Sequence, residues 1–157
     1  MISAIVFDMD GTVADLYGVE DWLPKLRAED ASPYIDASPM VDFNILYPIL
    51  EQLKELGVRI IINTWLSKQA SYEYDDAVRV AKMEWLEKYG FPYDEIHMTR
   101  YGRTKANATR YKYIGEQILV DDNETVRRGW HLGRTIDANK DICSELMDIL
   151  LELIANN

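Results

Sequence analysis

Short apolar runs of strand length alternate along the chain with segments of helical periodicity, and this alternation constrains the fold more than any other feature. Strands are predicted at residues 4–7, 58–62, 95–99, 117–120 and 134–136. Helices are predicted at residues 43–56, 75–89 and 125–131, and from residue 141 to near the C-terminus. Strands that are mostly continuous apolar runs are buried on both faces, which indicates a parallel sheet covered by helices. The sequence therefore predicts a three-layer, Rossmann-like α/β domain.

The segment from residue 13 to 42 does not follow this alternation. It contains a predicted helix at about residues 19–27, followed by the turn signals Ser32-Pro33 and Ser38-Pro39. We interpret it as a small lid, or cap, inserted after the first strand. No linker or repeat divides the remaining sequence, so residues 1–157 are predicted to form one domain.

Composition narrows the class of protein. The chain has 157 residues, of which 48% are hydrophobic, and a formal net charge of −10 with a sequence pI near 4.6. These values fit a folded domain and argue against strong nonspecific binding to nucleic acid. The N-terminal apolar run is short and lacks a basic flank, so neither secretion nor a membrane span is expected. The single cysteine, Cys143, excludes an internal disulfide, and a cytoplasmic location is the expectation.

Polar side chains follow three of the predicted strands. Asp8 and Asp10 follow the first strand, Thr64 follows the strand at 58–62, and Asp121 and Asp122 follow the strand at 117–120. The carboxyl ends of parallel strands meet in one crevice, so these groups are expected to lie together. Clustered carboxylates repel one another unless a cation neutralises them, and oxygen ligands favour Mg²⁺. Magnesium is therefore the predicted cofactor.

The run Asp8-Met9-Asp10-Gly11-Thr12, followed in order by Thr64, Lys105 and the pair Asp121-Asp122, resembles the four motifs of the haloacid dehalogenase (HAD) superfamily, in its phosphatase branch. The resemblance extends from about residue 5 to 136 and includes some similarity to the small 5'(3')-deoxyribonucleotidases. A calcium loop beginning at Asp8 is the alternative for the first motif, but its twelfth position is Val19 instead of glutamate. Lys112 competes with Lys105 for the third motif.

The resemblance implies a role for each of these residues. Asp8 is the expected nucleophile, and Asp10 the expected acid and base. Thr64 is expected to donate a hydrogen bond to the transferring phosphoryl group, and Lys105 to neutralise that group. Magnesium is expected on the Asp8 carboxylate, the Asp10 backbone carbonyl and Asp122, with Asp121 in a supporting position.

The substrate is suggested by a basic, tyrosine-containing segment at residues 96–115. This segment has five basic residues and no acidic ones, a composition suited to contact with phosphate and stacking on a base. A solvated basic loop is the alternative interpretation. The residues predicted to contact substrate are Asn63, Trp65, Arg103 and Tyr17.

Three functions fit these patterns. The first is a magnesium-dependent phosphomonoesterase that uses an aspartyl-phosphate intermediate and acts on a small phosphorylated substrate such as a nucleotide. The second is a protein of the same fold that binds a nucleotide or signal molecule with little turnover, and the third is a phosphatase of protein or nucleic-acid ends. The aromatic and methionine content leaves a homodimer open.

Overall fold

A five-stranded parallel sheet forms the centre of the computed structural model, which describes residues 1–157. In chain order the elements are β1 (Ile2–Phe7), β2 (Ala14–Asp15), α1 (Trp22–Arg27), α2 (Ser32–Asp36), β3 (Ser38–Pro39), α3 (Phe43–Glu55), β4 (Arg59–Trp65), α4 (Tyr72–Tyr89), β5 (Glu95–Thr99), β6 (Glu116–Asp121), α5 (Glu124–Gly129), β7 (Thr135–Asp137) and α6 (Ile142–Ala155). Short 3₁₀ helices occur at Leu16–Gly18 and Lys105–Ala108. None of the helices combines the length and apolar character needed to cross a bilayer.

The strand order is β5-β4-β1-β6-β7, so β1 is the middle strand. Phe7 at its carboxyl end is in register with Ile62 of β4 on one side and with Val120 of β6 on the other. The chain leaves β1 toward β4 and β5 and later crosses back to β6 and β7. The end of β1 therefore lies at the point where the connections change direction, which is where open α/β sheets form a ligand crevice.

Both faces of the sheet are buried, as the continuous apolar strands predict. Alternate residues such as Phe7, Ile62 and Val120 face a large cluster that includes residues of α3 and α6. The intervening residues, including Val6, face a smaller cluster on the other side, which contains Ala106 of the second 3₁₀ helix and Trp130 after α5. The predicted α/β, Rossmann-like fold with a central parallel sheet is confirmed.

Residues 13–42 form a small substructure on α4. Its two short strands, β2 and β3, pair in antiparallel orientation. Leu16 and Tyr34 pack against Tyr74 and Val78 of α4, and the Tyr74 hydroxyl donates a hydrogen bond of 2.8 Å to the Asp30 carbonyl. The action of this segment as a lid stays a prediction.

Some predicted element boundaries differ from the observed ones for local reasons. The helix predicted from residue 75 begins at Tyr72, because the Ser71 side chain accepts a hydrogen bond from the Tyr74 backbone N–H and caps the helix. Ser32-Pro33, predicted as a turn, begins α2, since proline fits the first helical turn. Ser38-Pro39, also predicted as a turn, forms β3.

Candidate active site

The Asp8 carboxylate is fixed at the carboxyl end of β1 by hydrogen bonds to both of its oxygens. Lys105 Nζ donates to Oδ1 at 2.9 Å, and Thr12 Oγ1 donates to Oδ2 at 3.1 Å. The Asp8 backbone N–H donates to the Val120 carbonyl and continues the ladder to β6. Asp8 is almost buried but still contributes to the wall of a cavity. Its carboxylate is thus held in one orientation at the crevice.

Lys105 joins Asp8 to Asp121. Its Nζ lies 2.8 Å from Asp121 Oδ2, while Asp121 Oδ1 accepts a hydrogen bond from the Asn123 backbone N–H. Burial alone lowers the pKa of Lys105, but the carboxylates of Asp8 and Asp121 outweigh burial and hold that pKa above its usual value. Lys112, the competitor for this role, instead forms an ion pair of 2.7 Å with Glu95. The structure therefore places Lys105, and not Lys112, at the strand ends.

Asp122 is the acidic residue of the site that has no cationic partner. Carboxylate oxygens of Asp8, Asp121 and Asp122 lie within 4.8 Å of one another. Burial, reinforced by the nearby charges of Asp8 and Asp121, raises the pKa of Asp122 to about 7. Asp121 is the most buried of the three, with its side chain 1% exposed against 10% for Asp8, so Asp8 and Asp122 offer the more accessible oxygen ligands for a cation.

Asp10 is held by Lys82, a residue that sequence analysis missed. Lys82 Nζ donates to Asp10 Oδ2 at 2.8 Å, and no protein group donates a hydrogen bond to Asp10 Oδ1. Burial raises the pKa of the Asp10 carboxyl, although the Lys82 charge opposes this effect. A raised pKa favours the protonated form, which an acid catalyst requires.

A sequence signal for Lys82 did exist. The residue follows Val78 by four positions and precedes Trp85 by three, so it lies on the apolar stripe predicted for this helix. A lysine on a buried stripe requires a buried partner. That partner is 72 residues away in the sequence, and only the packing of α4 against the strand ends brings the two together.

Two residues predicted at the site, Asn63 as a substrate contact and Thr64 as a donor to the phosphoryl group, lie behind the cavity wall. Both side chains are fully buried, and neither residue contributes to the cavity wall. Asn63 points to the opposite sheet face from Thr64, where its Nδ2 donates to the Lys105 carbonyl at 2.9 Å. The Thr64 hydroxyl accepts a hydrogen bond of 2.7 Å from Lys82 Nζ, which also donates to Asp10.

A cavity of about 420 Å³ opens above these carboxylates. Its outer wall combines aromatic rings with basic side chains: Tyr17, Trp22, Arg27, Trp65, Lys68 and Tyr101. Tyr17 and Trp65, both predicted to contact substrate, therefore line this cavity. The Trp65 ring lies 5.0 Å from Tyr101, between ring centroids, and 5.2 Å from Lys105 Nζ.

Arg103, the remaining residue predicted to contact substrate, lies outside the main cavity. It lines a smaller groove of about 190 Å³ that shares Trp65 and Lys105 with the cavity. Its backbone carbonyl accepts a hydrogen bond of 2.8 Å from Trp65 Nε1. Through this contact Arg103 supports the aromatic wall with its backbone.

No protein-family model matches the chain, and no curated protein sequence matches it. Solved structures do resemble it. A chain in the Pnkp1/Rnl/Hen1 RNA repair complex resembles it with a TM-score of 0.59 and a sequence identity of 19%. The match covers 87% of the present protein but only 42% of the length of the chain in that complex.

Two further solved structures match over nearly their whole length. A Mesorhizobium loti protein, mll2559, assigned as a HAD-like phosphatase, gives a TM-score of 0.57 at 15% identity, covering 97% of this chain and 86% of its own. The D,D-heptose 1,7-bisphosphate phosphatase of Burkholderia thailandensis gives a TM-score of 0.55 at 13% identity. That match covers 94% of this chain and 98% of the phosphatase. The fold expected from the motifs is thereby confirmed: the chain has the fold of the HAD-like phosphatases.

Proposed function

We propose that the chain is a magnesium-dependent phosphomonoesterase that uses Asp8 as its nucleophile. The observation that carries this proposal is the environment of Asp8 at the end of β1. Lys105 and Thr12 fix its carboxylate, while Asp122 stands beside it without a cationic partner. The fold shared with phosphatases supports the same reaction class.

The residues present fit a divalent cation. Four carboxyl groups, Asp8, Asp10, Asp121 and Asp122, meet only two ammonium groups, Lys82 and Lys105, and the fully ionised cluster would carry an excess of two negative charges. All available side-chain ligands are oxygens, which suits Mg²⁺. Asp8, Asp122 and the backbone carbonyl of Asp10 would hold the ion, which would screen the charge of the phosphate and of the nucleophile.

In the first chemical step, an Asp8 carboxylate oxygen attacks phosphorus and the bond from phosphorus to the ester oxygen breaks. Asp10 gives its proton to the departing oxygen, and an aspartyl phosphate remains on Asp8. Lys105 stands beside Asp8 and offsets negative charge on the transferring group.

In the second step, Asp10 takes a proton from water, whose oxygen attacks the phosphorus of the intermediate. The bond from phosphorus to the Asp8 oxygen breaks, which releases inorganic phosphate and restores the Asp8 carboxylate. The proton taken by Asp10 restores the acid for the next cycle. A single carboxyl group thus serves both half-reactions, and its raised pKa suits the acid form.

The proposed substrate is a nucleotide or a similar small phosphate ester with an aromatic group. The wall residues Tyr17, Trp65 and Tyr101 present rings that suit stacking on a base. Arg27 and Lys68 add positive charge at the same opening. A cavity of about 420 Å³ is within the usual range for small-molecule sites.

A cytoplasmic location and a homodimer also remain proposals from the sequence.

The test is phosphate release from nucleoside monophosphates, sugar phosphates and an oligonucleotide with a terminal phosphate, with Mg²⁺ and with a chelator. We expect turnover that requires Mg²⁺ and is abolished by Asp8→Asn, whereas the matched variant Asp15→Asn, outside the carboxylate cluster, remains active. Binding of a nucleotide without turnover of any substrate would instead support the binding-protein alternative. Preference for the oligonucleotide would move the substrate to nucleic-acid ends.

A further inference from the structure

Lys82 carries a charged side chain at a buried position, where an apolar side chain would require less desolvation free energy. The residue is completely inaccessible to solvent, and it lies on α4 between Val78 and Trp85. The Tyr34 ring covers its Nζ at 5.1 Å from the ring centroid. A buried ion pair is seldom more stabilising than apolar packing of the same volume, so stability alone is a weak reason for a lysine at this position.

All three N–H groups of the Lys82 ammonium have partners within the protein. They donate to Asp10 Oδ2 at 2.8 Å, to Thr64 Oγ1 at 2.7 Å and to the Trp65 carbonyl at 2.8 Å. An ammonium has three donors and no acceptor, so none is left for a substrate. Lys82 therefore differs from Lys105, which lines the cavity.

The Lys82 contacts restrain one oxygen of Asp10. The carboxylate is linked through the ammonium to two fixed points near the end of β4, the Thr64 hydroxyl and the Trp65 carbonyl. Asp10 Oδ1 receives no hydrogen bond from the protein and belongs to a residue of the cavity wall. The restraint on Oδ2 thus sets where Oδ1 lies relative to the Asp8 carboxylate.

We infer that Lys82 is a positioning residue for proton transfer by Asp10, and that Thr64 acts through Lys82 instead of contacting the phosphoryl group. This inference rests on the proposed phosphatase function. It predicts that losing Lys82 impairs protonation of the leaving oxygen while nucleophilic attack by Asp8 remains possible. Thr64 is expected to produce the same defect, because it anchors the ammonium.

The experiment compares kcat/KM for an alkyl ester, such as a nucleoside monophosphate, with kcat/KM for p-nitrophenyl phosphate. This parameter reports formation of the aspartyl phosphate, and p-nitrophenolate departs without a proton. Lys82→Met should lower kcat/KM about tenfold to a hundredfold on the alkyl ester, part of the ~10²–10⁴-fold that acid–base groups contribute. On p-nitrophenyl phosphate the loss should be less than about threefold by the same reasoning.

Thr64→Val and the double variant complete the design. We expect Thr64→Val to show the same dependence on the leaving group, and the double variant to be no slower than the slower single variant, because the residues act in series. Lys88→Met, a change at an exposed lysine of the same helix, is the matched control and should leave both rates unchanged. Circular dichroism checks that each variant folds, and Lys82→Gln replaces Lys82→Met if the latter does not.

The outcomes separate the inference from the proposed function. Equal losses on both esters, or additive losses with a raised KM for Thr64→Val, would overturn the positioning role and return Thr64 to direct phosphate contact. A wild-type protein that hydrolyses neither ester would overturn the proposed function and the inference with it. Wild-type turnover that Asp8→Asn abolishes, without any dependence on the leaving group in Lys82→Met, would contradict the inference alone.

Discussion

Gly11 occupies a position in the site where a Cβ atom has no room. Its φ of +77° is in the left-handed region, and a Cβ there would lie 2.4 Å from Asp122 Oδ2 and 2.8 Å from a Tyr17 ring carbon. We expect Gly11→Ala to displace Asp122 and to lower magnesium-dependent activity by up to about 100-fold, because a misplacement of about 1 Å can cost that much. Gly90→Ala has a similar φ but open space, so it should reduce stability without affecting activity. Steady-state kinetics and urea unfolding measure both effects, and full activity in Gly11→Ala would contradict this account.

Among the residues of the site, those in a continuous sequence motif could be predicted better than those that only packing brings together. Asp8, Asp10, Asp121 and Asp122 follow recognisable strands, so their convergence could be predicted from strand ends alone. The apolar stripe of its helix marks Lys82 as buried, but its pairing with Asp10 could not be predicted, because that partner lies on another element at no fixed spacing. Asn63 was predicted as a substrate contact and Thr64 as a donor to the phosphoryl group, and the alternation of successive strand residues places their side chains on opposite sides of the sheet.

Helix α6 shows how an element contributes stability without touching the site. Leu146 is completely buried against the core, while Leu151 on the same helix is 55% exposed. Leu146→Ala should lower the free energy of unfolding by about 2–5 kcal/mol, the usual cost of removing a buried leucine side chain. Leu151→Ala should change that free energy by less than about 0.5 kcal/mol. Denaturant unfolding tests the difference, and similar losses in the two variants would contradict the observed packing.

Among the elements, the long periodic ones were predictable, whereas the two shortest strands were not. The helix predicted at residues 43–56 is α3, and the predicted C-terminal stripe is α6. In contrast, β2 and β3 have two residues each and depend on pairing with one another, which leaves no periodic signal. Their pairing was therefore missed.

For the whole molecule, we expect the acidic cluster to make stability, and the proposed binding of magnesium, depend on pH. The pKa of Asp122 is raised from 3.8 to about 7, so the folded protein without a cation binds more protons between these values than the unfolded chain does. This group's contribution to stability therefore falls as pH rises through that range. Below about pH 7, Mg²⁺ must also displace the proton of Asp122.

We consequently expect Mg²⁺ to raise the Tm more at pH 8 than at pH 5.5. Asp122→Asn removes the charge that Mg²⁺ would neutralise, so it should raise the Tm of the cation-free protein at pH 8 and eliminate most of the shift caused by Mg²⁺. Differential scanning fluorimetry at the two pH values measures both effects. Equal shifts at the two pH values, or an undiminished shift in Asp122→Asn, would show that the cation binds elsewhere.

In the proposed reaction, Asp8 carries the phosphoryl group during turnover. The most direct measurement is peptide mass spectrometry of Asp10→Asn after an acid quench of its reaction with p-nitrophenyl phosphate. This variant lacks the base for hydrolysis of the intermediate, while its substrate needs no acid to release the leaving group. We predict one phosphoryl group on the peptide that contains Asp8, at the Asp8 side chain. Release of p-nitrophenol with no phosphoryl group on Asp8, or with that group on another residue, would contradict the account.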